Sequence, residues 1–369
     1  MMKNTSLLLT LIFLVGCAAR GNINSLVNWG ETSGVPLVQE AITEEASALP
    51  ERGVVEEGAS GDATSEVVRT LSDTQKPLEA LPAELSISYF KKMRLEGRDL
   101  ALGDVLAVTD VYTRYAITYR SNGLLISGVM NIPQGEGPFP LVILNHGYID
   151  RAVYVRGRGL KREQDYLARA GFAVLHTDYR GHAGSDESPM TANVYDGNLE
   201  YAMDSANAIL AVRKAELPQV DAEHVGMLGH SLGGGITLTI LTGRPDLVNA
   251  AVLYAPIHAD VFLNFMRWRE RRNEGDRTLA VFGTREEHPE VWDALSPQTF
   301  LSDIEVPVLL FQGDRDKDVP KEWSDHLAMK LEEAGKEITY IEYEGEGHEF
   351  GPKWTDFMEK TVAFFRQRL

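Results

Sequence analysis

A serine within a short glycine-bounded motif is the feature of this 369-residue chain that most directly suggests chemistry. The motif has the form G-x-S-x-G, with Ser231 between Gly229 and Gly233, and it follows the apolar run at residues 225–228. Where a strand turns sharply into a helix, a serine at the turn exposes its hydroxyl, and glycine is favoured beside it because a Cβ atom would clash. The motif also arises by chance. The preceding apolar run and the small residues after the motif nevertheless favour a catalytic nucleophile.

A serine nucleophile needs a general base, and the base needs a carboxylate that orients it. His348 lies in a glycine-bounded loop after the last apolar run, residues 338–343, and is the leading candidate for the base. A lone loop histidine is usually incidental. Here, however, it follows a serine and an acidic loop in an order known for such triads, and active-site groups collect beyond the carboxyl ends of parallel strands.

Three aspartates compete for the role of the acid, because Asp314, Asp316 and Asp318 all follow the apolar run at residues 308–311. Asp316 occupies the aspartate position of the form G-x-x-D-x-x-V-P over residues 313–320, and the family resemblance of this form implies Asp316 as the acid. The other two aspartates are then interpreted as solvated turn residues. The alternative is that the whole segment is an ordinary aspartate-rich turn.

Along residues 110–369, these motifs resemble the α/β-hydrolase superfamily, and the acid loop resembles its prolyl-oligopeptidase (peptidase S9) and dienelactone-hydrolase branch. The resemblance implies an α/β-hydrolase fold and a serine hydrolase in which Ser231, Asp316 and His348 form the catalytic triad. It rests on five motifs in order: His146-Gly147, Asp178-Tyr179-Arg180-Gly181-His182, the serine motif, the acid loop and the His348 loop.

The oxyanion that develops during acyl transfer needs two backbone donors. One is expected at the N–H of Leu232, directly after the nucleophile. The His146-Gly147 pair resembles the family's HG motif, which implies the N–H of Tyr148 as the second donor, although this chain has tyrosine where the HGGG and HGGP forms have glycine. In some relatives a tyrosine hydroxyl also contributes, and the sequence leaves open whether that of Tyr148 does. The nearby histidines are interpreted as packing or supporting residues: His146, His182 and His230.

Hydrophobic patterning predicts the elements that position these residues. An Asn122-Gly123 turn between two strand-like runs predicts an antiparallel hairpin over residues 115–132. Continuous apolar runs separated by helical patterns then predict a mostly parallel, doubly wound α/β sheet covered on both faces. Strands are expected at residues 140–144, 172–175, 225–228, 250–254, 308–311 and 338–343, and helices at 164–170, 198–214, 323–334 and 354–365.

The first 17 residues resemble a bacterial lipoprotein signal peptide. Lys3 precedes an apolar run at residues 7–15 that is too short to span a bilayer, and Leu14-Val15-Gly16-Cys17 resembles a lipobox. Cys17, the only cysteine of the chain, would carry a lipid that anchors the protein in the cell envelope without a transmembrane helix. Ala18 then implies sorting to the outer membrane. The alternatives are an ordinary secretory signal and a short buried helix.

Residues 18–84 differ in composition from the remainder of the chain. They hold twelve acidic and four basic residues, a net charge of −8 out of −18 for the whole chain, and they show little periodicity. Such a segment predicts a flexible acidic tether ahead of a catalytic domain at residues 85–369. The alternative is an N-terminal element docked on the domain.

Composition also excludes several classes of function. A net charge of −18 argues against a nucleic-acid partner. A single cysteine excludes a disulfide framework and a cysteine zinc site, and the nine histidines show no H-E-x-x-H spacing. We therefore expect no metal and no cofactor, and the oligomeric state is left open.

The bond that is cut is less determined than the chemistry. Serine, histidine and an oxyanion hole imply acyl transfer to water through an acyl-enzyme. Full oligopeptidases carry a large β-propeller before the hydrolase domain, whereas only the tether and about 25 residues precede the hairpin here, so an ester or small amide is expected. The alternatives are a peptidase of prolyl-oligopeptidase type that acts on short peptides, and a non-catalytic envelope lipoprotein that retains the fold.

Two segments are candidates for contact with substrate. Residues 258–300 are long enough for a small helical lid, and their aromatic side chains suit either an apolar acyl pocket or the buried face of an ordinary surface helix. The loop at residues 151–162 carries five basic residues and suggests a site for a substrate carboxylate. The apolar residues are Phe262, Phe265, Met266, Trp268 and Trp292, and the basic ones are Arg151, Arg156, Arg158, Lys161 and Arg162.

Overall fold

The computed structural model describes residues 83–187, 195, 197–269 and 275–369, and the strands of this part of the chain form one sheet. The strands are β1 (Gly97–Val108), β2 (Tyr112–Ser121), β3 (Leu124–Pro133), β4 (Phe139–Asn145), β5 (Ala173–Thr177), β6 (Val220–His230), β7 (Ala250–Tyr254), β8 (Val308–Gly313) and β9 (Ile338–Tyr343). The helices are α1 (Ile87–Lys92), α2 (Lys161–Arg169), α3 (Leu199–Ala215), α4 (Leu232–Gly243), α5 (Val261–Trp268), α6 (Gly275–Phe282), α7 (Pro289–Leu295), α8 (Lys321–Glu333) and α9 (Trp354–Arg368).

The strands lie in the order β1-β2-β3-β5-β4-β6-β7-β8-β9. The pairings from β1 to β5 are antiparallel, and every pairing from β5 through β4 to β9 is parallel. The predicted α/β architecture, mostly parallel with an antiparallel N-terminal hairpin, is therefore confirmed. Because the carboxyl ends of parallel strands lie at one edge of a sheet, the loops after β4, β6, β7, β8 and β9 meet there.

Alternate side chains of the parallel strands enter two separate hydrophobic clusters. In β4, Leu141 and Ile143 pack into the cluster that includes α3 and α4, whereas Val142 and Leu144 pack into the cluster that includes α2 and α9. All four side chains are fully buried, which is why such strands appear in the sequence as continuous apolar runs. Burial on this scale contributes about 1.5–3 kcal/mol per large aliphatic side chain, and it fixes the strands whose ends carry the site.

The N-terminal strands show one success and one failure of the sequence prediction. Asn122 and Gly123 have φ angles of 45° and 94°, the conformation that favours Asn-Gly in a tight hairpin between β2 and β3. The strand β1 was not predicted. It is an edge strand whose side chains are mostly exposed, and it pairs with β2 through three register shifts, so it lacks the alternation that marks a half-buried strand.

Several predictions concern residues outside the described part of the chain. The signal peptide with Cys17 lies wholly outside it, and of the tether at residues 18–84 only Ala83 and Glu84 are described. None of the helices in the described ranges is both long enough and apolar enough to cross a membrane.

Candidate active site

Ser231 occupies the sharp turn between β6 and α4. Its φ of 55° and ψ of −120° lie outside the regions that L residues favour, and such strain is typical of a nucleophile elbow. Space requires the flanking glycines: a Cβ on Gly229 would lie 2.2 Å from the carbonyl oxygen of Gly233, and a Cβ on Gly233 would lie 1.9 Å from that of Asn145. Close packing therefore requires glycine at both flanking positions. Ser231 itself lies partly exposed at the carboxyl end of β6.

Asp316 and His348, which are distant in the chain, meet between the loops after β8 and β9. His348 Nδ1 lies 2.7 Å from Asp316 Oδ2. The Asp316 side chain is fully buried, whereas that of His348 is 18% exposed. The Asp316 carboxylate accepts a hydrogen bond from Nδ1–H of His348, so the proton of the neutral imidazole stays on Nδ1. The other nitrogen, Nε2, is then free to accept a proton from the nucleophile.

The carboxylate of Asp316 is held by more than the histidine. Its Oδ1 accepts the backbone N–H groups of Asp318 and Val319, each at 2.9 Å, and its Oδ2 also accepts from Gln312 Nε2 at 3.0 Å. Burial alone raises the pKa of Asp316, but the hydrogen bonds from His348, Val319 and Gln312 together outweigh it and hold this pKa below its usual value. The acid therefore stays ionised beside the base.

Gln312, which the sequence analysis did not identify, is the link between the acid loop and α8. Its side chain is fully buried, and its Oε1 accepts a hydrogen bond of 2.8 Å from Ser324 Oγ while its Nε2 donates to Asp316. The available signal was a polar residue near the end of an apolar strand, directly before the predicted acid loop.

The acid loop and the histidine loop pack against each other. A Cβ on Gly313 would lie 2.4 Å from the carbonyl oxygen of Glu346. Asp314 is exposed, but its Oδ1 accepts the N–H of Gly345 at 2.6 Å, so it ties the two loops together rather than acting only as a solvated turn residue. Asp318 is exposed.

Groups from three elements fix the backbone on which His348 sits. His230 Nε2 lies 3.0 Å from the carbonyl oxygen of His348, and the two imidazole rings are in tilted contact, with centroids 4.7 Å apart and an interplanar angle of 39°. The N–H of Phe350 donates to the hydroxyl of Tyr254 at 2.5 Å, and Arg162 donates to the Phe350 carbonyl at 3.3 Å. Tyr254 was not predicted as a site residue, although it ends an apolar strand at the edge of the sheet that carries the site.

His230 is a neutral imidazole of defined tautomer. Burial, with a further contribution from nearby His348, lowers the pKa of His230 to about 3. Because its Nε2 faces a carbonyl oxygen, which only accepts, Nε2 carries the proton and donates it. The predicted supporting role of His230 thus takes a specific form, a hydrogen bond to the backbone of His348.

The loop after β4 runs directly beside the nucleophile. A Cβ on Gly147 would lie 3.3 Å from Ser231 Cβ. Leu232 opens α4, so its N–H is one of the unpaired donors of a helix N-terminus. Tyr148 follows Gly147 with its side chain 73% exposed. The loop that carries Tyr148 therefore lies beside the turn that carries Ser231 and Leu232, and the role of the two N–H groups as an oxyanion hole stays a prediction.

A stack of mostly buried aromatic rings supports the loop after β4. His146 stacks on Tyr179 at 4.3 Å and on Tyr154 and His176 at 5.1 Å, and Tyr179 stacks in turn on Tyr201 at 4.9 Å. Within the described ranges, His146 Nε2 and both ring nitrogens of His176 have no hydrogen-bond partner of standard geometry. Burial lowers the pKa of His176 to about 3 and that of His146 well below its usual range, so both rings are neutral.

The motif at residues 178–182 has a structural role. Arg180 forms buried ion pairs with Asp204 at 2.7 Å and with Glu200 at 2.5 Å, which join the loop after β5 to α3. Asp178 accepts a hydrogen bond of 2.7 Å from the Tyr154 hydroxyl. Both contacts hold the ring stack in place.

The basic loop at residues 151–162 is tied to its own surroundings. These contacts give several of its arginines a structural role, beside any role in binding a substrate carboxylate. Arg151 donates to Glu187 and to the Tyr201 hydroxyl, Arg158 to the Val153 carbonyl and Arg162 to the Phe350 carbonyl.

The aromatic residues of α5 to α7 pack mainly against one another. Phe265, Phe282 and Trp292 are fully buried and form a cluster with Val261 and Leu295. The acyl-pocket interpretation is therefore wrong for Phe265 and Trp292, which are core residues of this segment. The sequence could not decide this, because a buried helical face and a pocket lining have the same spacing. Whether the segment moves as a lid stays a prediction.

Metal-ligating side chains do not gather anywhere in the described ranges: no three residues among His, Cys, Asp and Glu come together as ligands would. The polar groups at this edge of the sheet are a base with its acid and a loop of backbone donors beside Ser231. This arrangement is suited to acyl transfer.

Comparison with known proteins agrees with this arrangement. A model of the prolyl oligopeptidase family matches residues 159–369, more than half of the chain. Two relatives from Bacillus subtilis (strain 168) are the uncharacterized peptidases YuxL, 27% identical over 239 residues, and YtmA, 27% identical over 242 residues. The match covers 62% of this chain and 34% of YuxL, and 65% of this chain and 87% of YtmA. The chain thus spans about a third of YuxL.

A solved structure shows the same fold. The acylaminoacyl peptidase of Pyrococcus horikoshii superposes with a TM-score of 0.57 at 22% identity, over 70% of this chain and 42% of that protein. At this identity the likeness concerns the fold, and the assignment of a reaction depends on the site itself.

Proposed function

The chain belongs to the prolyl oligopeptidase family, and on that premise we propose that it is a serine hydrolase that cleaves a carboxylic ester or a small amide. The observations that carry the proposal are the strained, partly exposed Ser231 and the partly buried Asp316–His348 hydrogen bond of 2.7 Å. The nucleophile Ser231, the acid Asp316 and the base His348 lie in the loops directly after the parallel strands β6, β8 and β9.

In the first half of the reaction, Ser231 Oγ attacks the substrate carbonyl carbon while its proton passes to His348 Nε2. The carbonyl oxygen becomes an oxyanion, which accepts hydrogen bonds from the N–H groups of Leu232 and Tyr148. When the tetrahedral intermediate collapses, the bond to the alcohol or amine breaks, and that leaving group takes the proton from His348. Asp316 stays ionised and stabilises the imidazolium that forms in between.

In the second half, water replaces the leaving group. It gives one proton to His348 Nε2 as its oxygen attacks the acyl-enzyme, and the proton then returns to Ser231 Oγ as the carboxylic acid departs. No group outside the chain and its substrate is needed to balance this sequence. Hydrogen bonds from Gln312 and His230 keep the acid and the base aligned throughout.

A fluorophosphonate probe tests the nucleophile. We expect the wild-type protein to be labelled at Ser231 and the Ser231→Ala variant to remain unlabelled while it keeps its thermal unfolding transition. Ser302→Ala, which changes an exposed serine away from the motif, is the matched control and should be labelled like the wild type. A folded wild-type protein that resists the probe would instead support the alternative of a non-catalytic protein that retains the fold.

Hydrolysis of short peptides is the second candidate, and it is favoured by the family itself and by the naming of YuxL and YtmA as peptidases. Esters and amides share every step above, and they differ in how well the leaving group departs. A panel of p-nitrophenyl esters and aminoacyl or prolyl p-nitroanilides separates the two, because kcat/KM for amides at or above that for esters is the result expected of a peptidase.

The location of the enzyme is part of the same proposal. Residues 1–17 resemble a lipoprotein signal that ends at Cys17, and a lipid on this cysteine would anchor the catalytic domain to the bacterial envelope, at the outer membrane if Ala18 directs sorting. In a bacterial host, wild-type protein should fractionate with membranes and incorporate labelled palmitate. Cys17→Ala should lose both properties, and unchanged palmitate labelling in that variant would overturn the proposal.

A further inference from the structure

An arginine near the end of α5 contacts the backbone of the acid loop. Arg267 Nε donates a hydrogen bond of 2.7 Å to the carbonyl oxygen of Asp318, and its Nη2 donates one of 3.0 Å to the carbonyl oxygen of Lys317. Nε and Nη2 form one edge of the planar guanidinium, so the two bonds run side by side. One arginine thus binds two consecutive peptide units of this loop.

The same two peptide units bind the catalytic acid. The first unit joins the carbonyl of Lys317 to the N–H of Asp318, and the second joins the carbonyl of Asp318 to the N–H of Val319. Both N–H groups donate to Asp316 Oδ1, each at 2.9 Å. Both peptides are trans, and in a trans peptide the carbonyl and the N–H point in opposite directions. Arg267 therefore lies on one side of the two peptide units, and the carboxylate lies on the other.

This arrangement connects Arg267 to the acid. A hydrogen bond to a peptide oxygen polarises the peptide unit and strengthens the bond that its N–H donates, and a cationic donor does so more than a neutral one. Arg267 thus favours the ionised carboxylate of Asp316 and fixes the planes of its two N–H donors. Because both carboxylate oxygens turn together, an Oδ1 held in place also keeps Oδ2 aligned with His348 Nδ1.

Aromatic rings hold Arg267 in this position. Its guanidinium lies 5.4 Å from the ring centroid of Trp268 and 5.6 Å from that of Trp323 in α8, within the range of a cation–π contact. Phe265, two residues earlier in α5, is fully buried in the aromatic core of α5 to α7. That core therefore anchors a helix whose arginine reaches the acid loop.

We propose that Arg267 is a positioning residue for the catalytic acid, and that it orients Asp316, and through it His348, by way of the two peptide units at residues 317–319. The inference rests on the proposed function, because it assigns a support to the same triad. Arg267 is exposed, so water partly replaces its hydrogen bonds when it is removed. The expected effect is therefore much smaller than that of losing the acid itself.

Steady-state hydrolysis of p-nitrophenyl acetate provides the first test. Arg267→Met keeps an unbranched side chain and removes the donors, and we expect kcat to fall about 10-fold with KM within about twofold of wild type. Arg277→Met is the matched control, since Arg277 is an exposed arginine on α6, and it should leave both constants near wild type. An unchanged kcat in a folded Arg267→Met protein would overturn the inference.

A conservative variant separates charge from geometry. Arg267→Lys keeps the positive charge but lacks the planar edge that reaches both carbonyls, so kcat should stay at least about threefold below wild type. Wild-type kcat in this variant would show that charge alone is sufficient, and the role assigned to the paired hydrogen bonds would be wrong.

A double-mutant cycle tests whether Arg267 acts through the acid. In Asp316→Ala the carboxylate is absent, so the addition of Arg267→Met should lower the residual kcat by less than about twofold. A residue that only stabilises the fold or binds substrate would cost the same factor in both backgrounds. An undiminished loss in the Asp316→Ala background would therefore refute the proposed route.

The two levels of the proposal fail differently. A wild-type protein that is not labelled by fluorophosphonate at Ser231 overturns the hydrolase function, and the role of Arg267 with it. A protein that is labelled and hydrolyses the ester, but keeps its kcat in Arg267→Met, overturns the role of Arg267 alone. A loss of kcat in Arg267→Met that disappears in the Asp316→Ala background supports both.

Discussion

The two sides of the catalytic centre are built in different ways. On the base side, directional hydrogen bonds connect Gln312, Asp316 and His348 to one another and to their loops. On the oxyanion side, the loop after β4 rests on stacked rings, and the nitrogens of His176 have no standard partner within the described ranges.

The difference reflects what each side must do. The base side carries a proton that moves and a charge that appears and disappears, so the acid and the histidine need fixed partners in every state. The oxyanion side presents backbone donors that do not change charge, and its loop is held by stacked rings together with the Tyr179 hydrogen bond to the His146 carbonyl and the ion pairs of Arg180. Loss of a polar atom should therefore be costly on the base side, whereas loss of the His176 nitrogens, which have no standard partner within the described ranges, should be cheap.

The largest expected effect comes from the acid itself. Asp316→Asn should lower kcat by about 10⁴-fold, because an amide in place of the carboxylate favours the wrong tautomer of the histidine. Asp318→Asn, two residues away in the same loop and exposed, is the matched control and should stay within about threefold of wild type. Both are measured by steady-state hydrolysis of p-nitrophenyl acetate, and equal losses in the two variants would contradict the choice of Asp316.

A matched pair of buried substitutions tests the comparison through stability. Gln312→Leu and His176→Leu each replace a fully buried polar side chain by the same apolar one. Gln312→Leu leaves Ser324 Oγ without its Gln312 partner, removes one of the hydrogen bonds to the Asp316 carboxylate, and should lower the free energy of unfolding by about 2 kcal/mol. His176→Leu removes nitrogens that lack standard partners and should stay within about 1 kcal/mol of wild type. Urea denaturation measures both, and a reversed ranking would refute the distinction between the two sides.

The hydrogen bond from His230 should matter for the rate more than for binding. His230→Phe keeps a ring against His348 but removes the donor to its carbonyl, and we expect kcat to fall about 10-fold with KM unchanged. His224→Phe alters an exposed histidine in the same strand β6 and should leave both constants near wild type. If His230→Phe changes KM and leaves kcat intact, His230 does not position the base.

The pH dependence of stability tests whether the buried histidines are held neutral. Burial lowers the pKa of His176 and of His230 to about 3, so the folded protein binds fewer protons at these sites than the unfolded chain, whose histidines titrate near about 6.5. Their contribution to stability is complete above pH ~6.5 and is lost as the pH falls toward 3. His176→Leu should reduce the slope of unfolding free energy between pH 4.5 and 6 by about 1 kcal/mol per pH unit. An identical slope in wild type and variant would show that His176 is not held neutral.

Prediction from the sequence succeeded where a residue type is forced by local geometry. A Cβ atom on Gly229 or Gly233 would lie less than 2.5 Å from a neighbouring carbonyl oxygen. Glycine is therefore required at both positions, and the nucleophile motif could be recognised without knowledge of the fold. Prediction failed for β1, where most side chains are exposed and no periodicity is imposed. Prediction also missed Gln312 and Tyr254. A polar or aromatic residue at the end of a strand gives no sequence signal for the distant loop that it contacts in the fold.

The sequence by itself determined the alternation of apolar runs and helical patterns, the elbow at Ser231, and the order of serine, acid and histidine along the chain, because these depend on neighbouring residues and on steric limits of the backbone. Only the tertiary structure decided that His230 holds the backbone of His348, that the aromatic rings of α5 to α7 close on themselves, and that Arg267 of α5 contacts the acid loop. These features depend on which side chains from separate strands and loops share the same space, and packing in three dimensions sets that outcome.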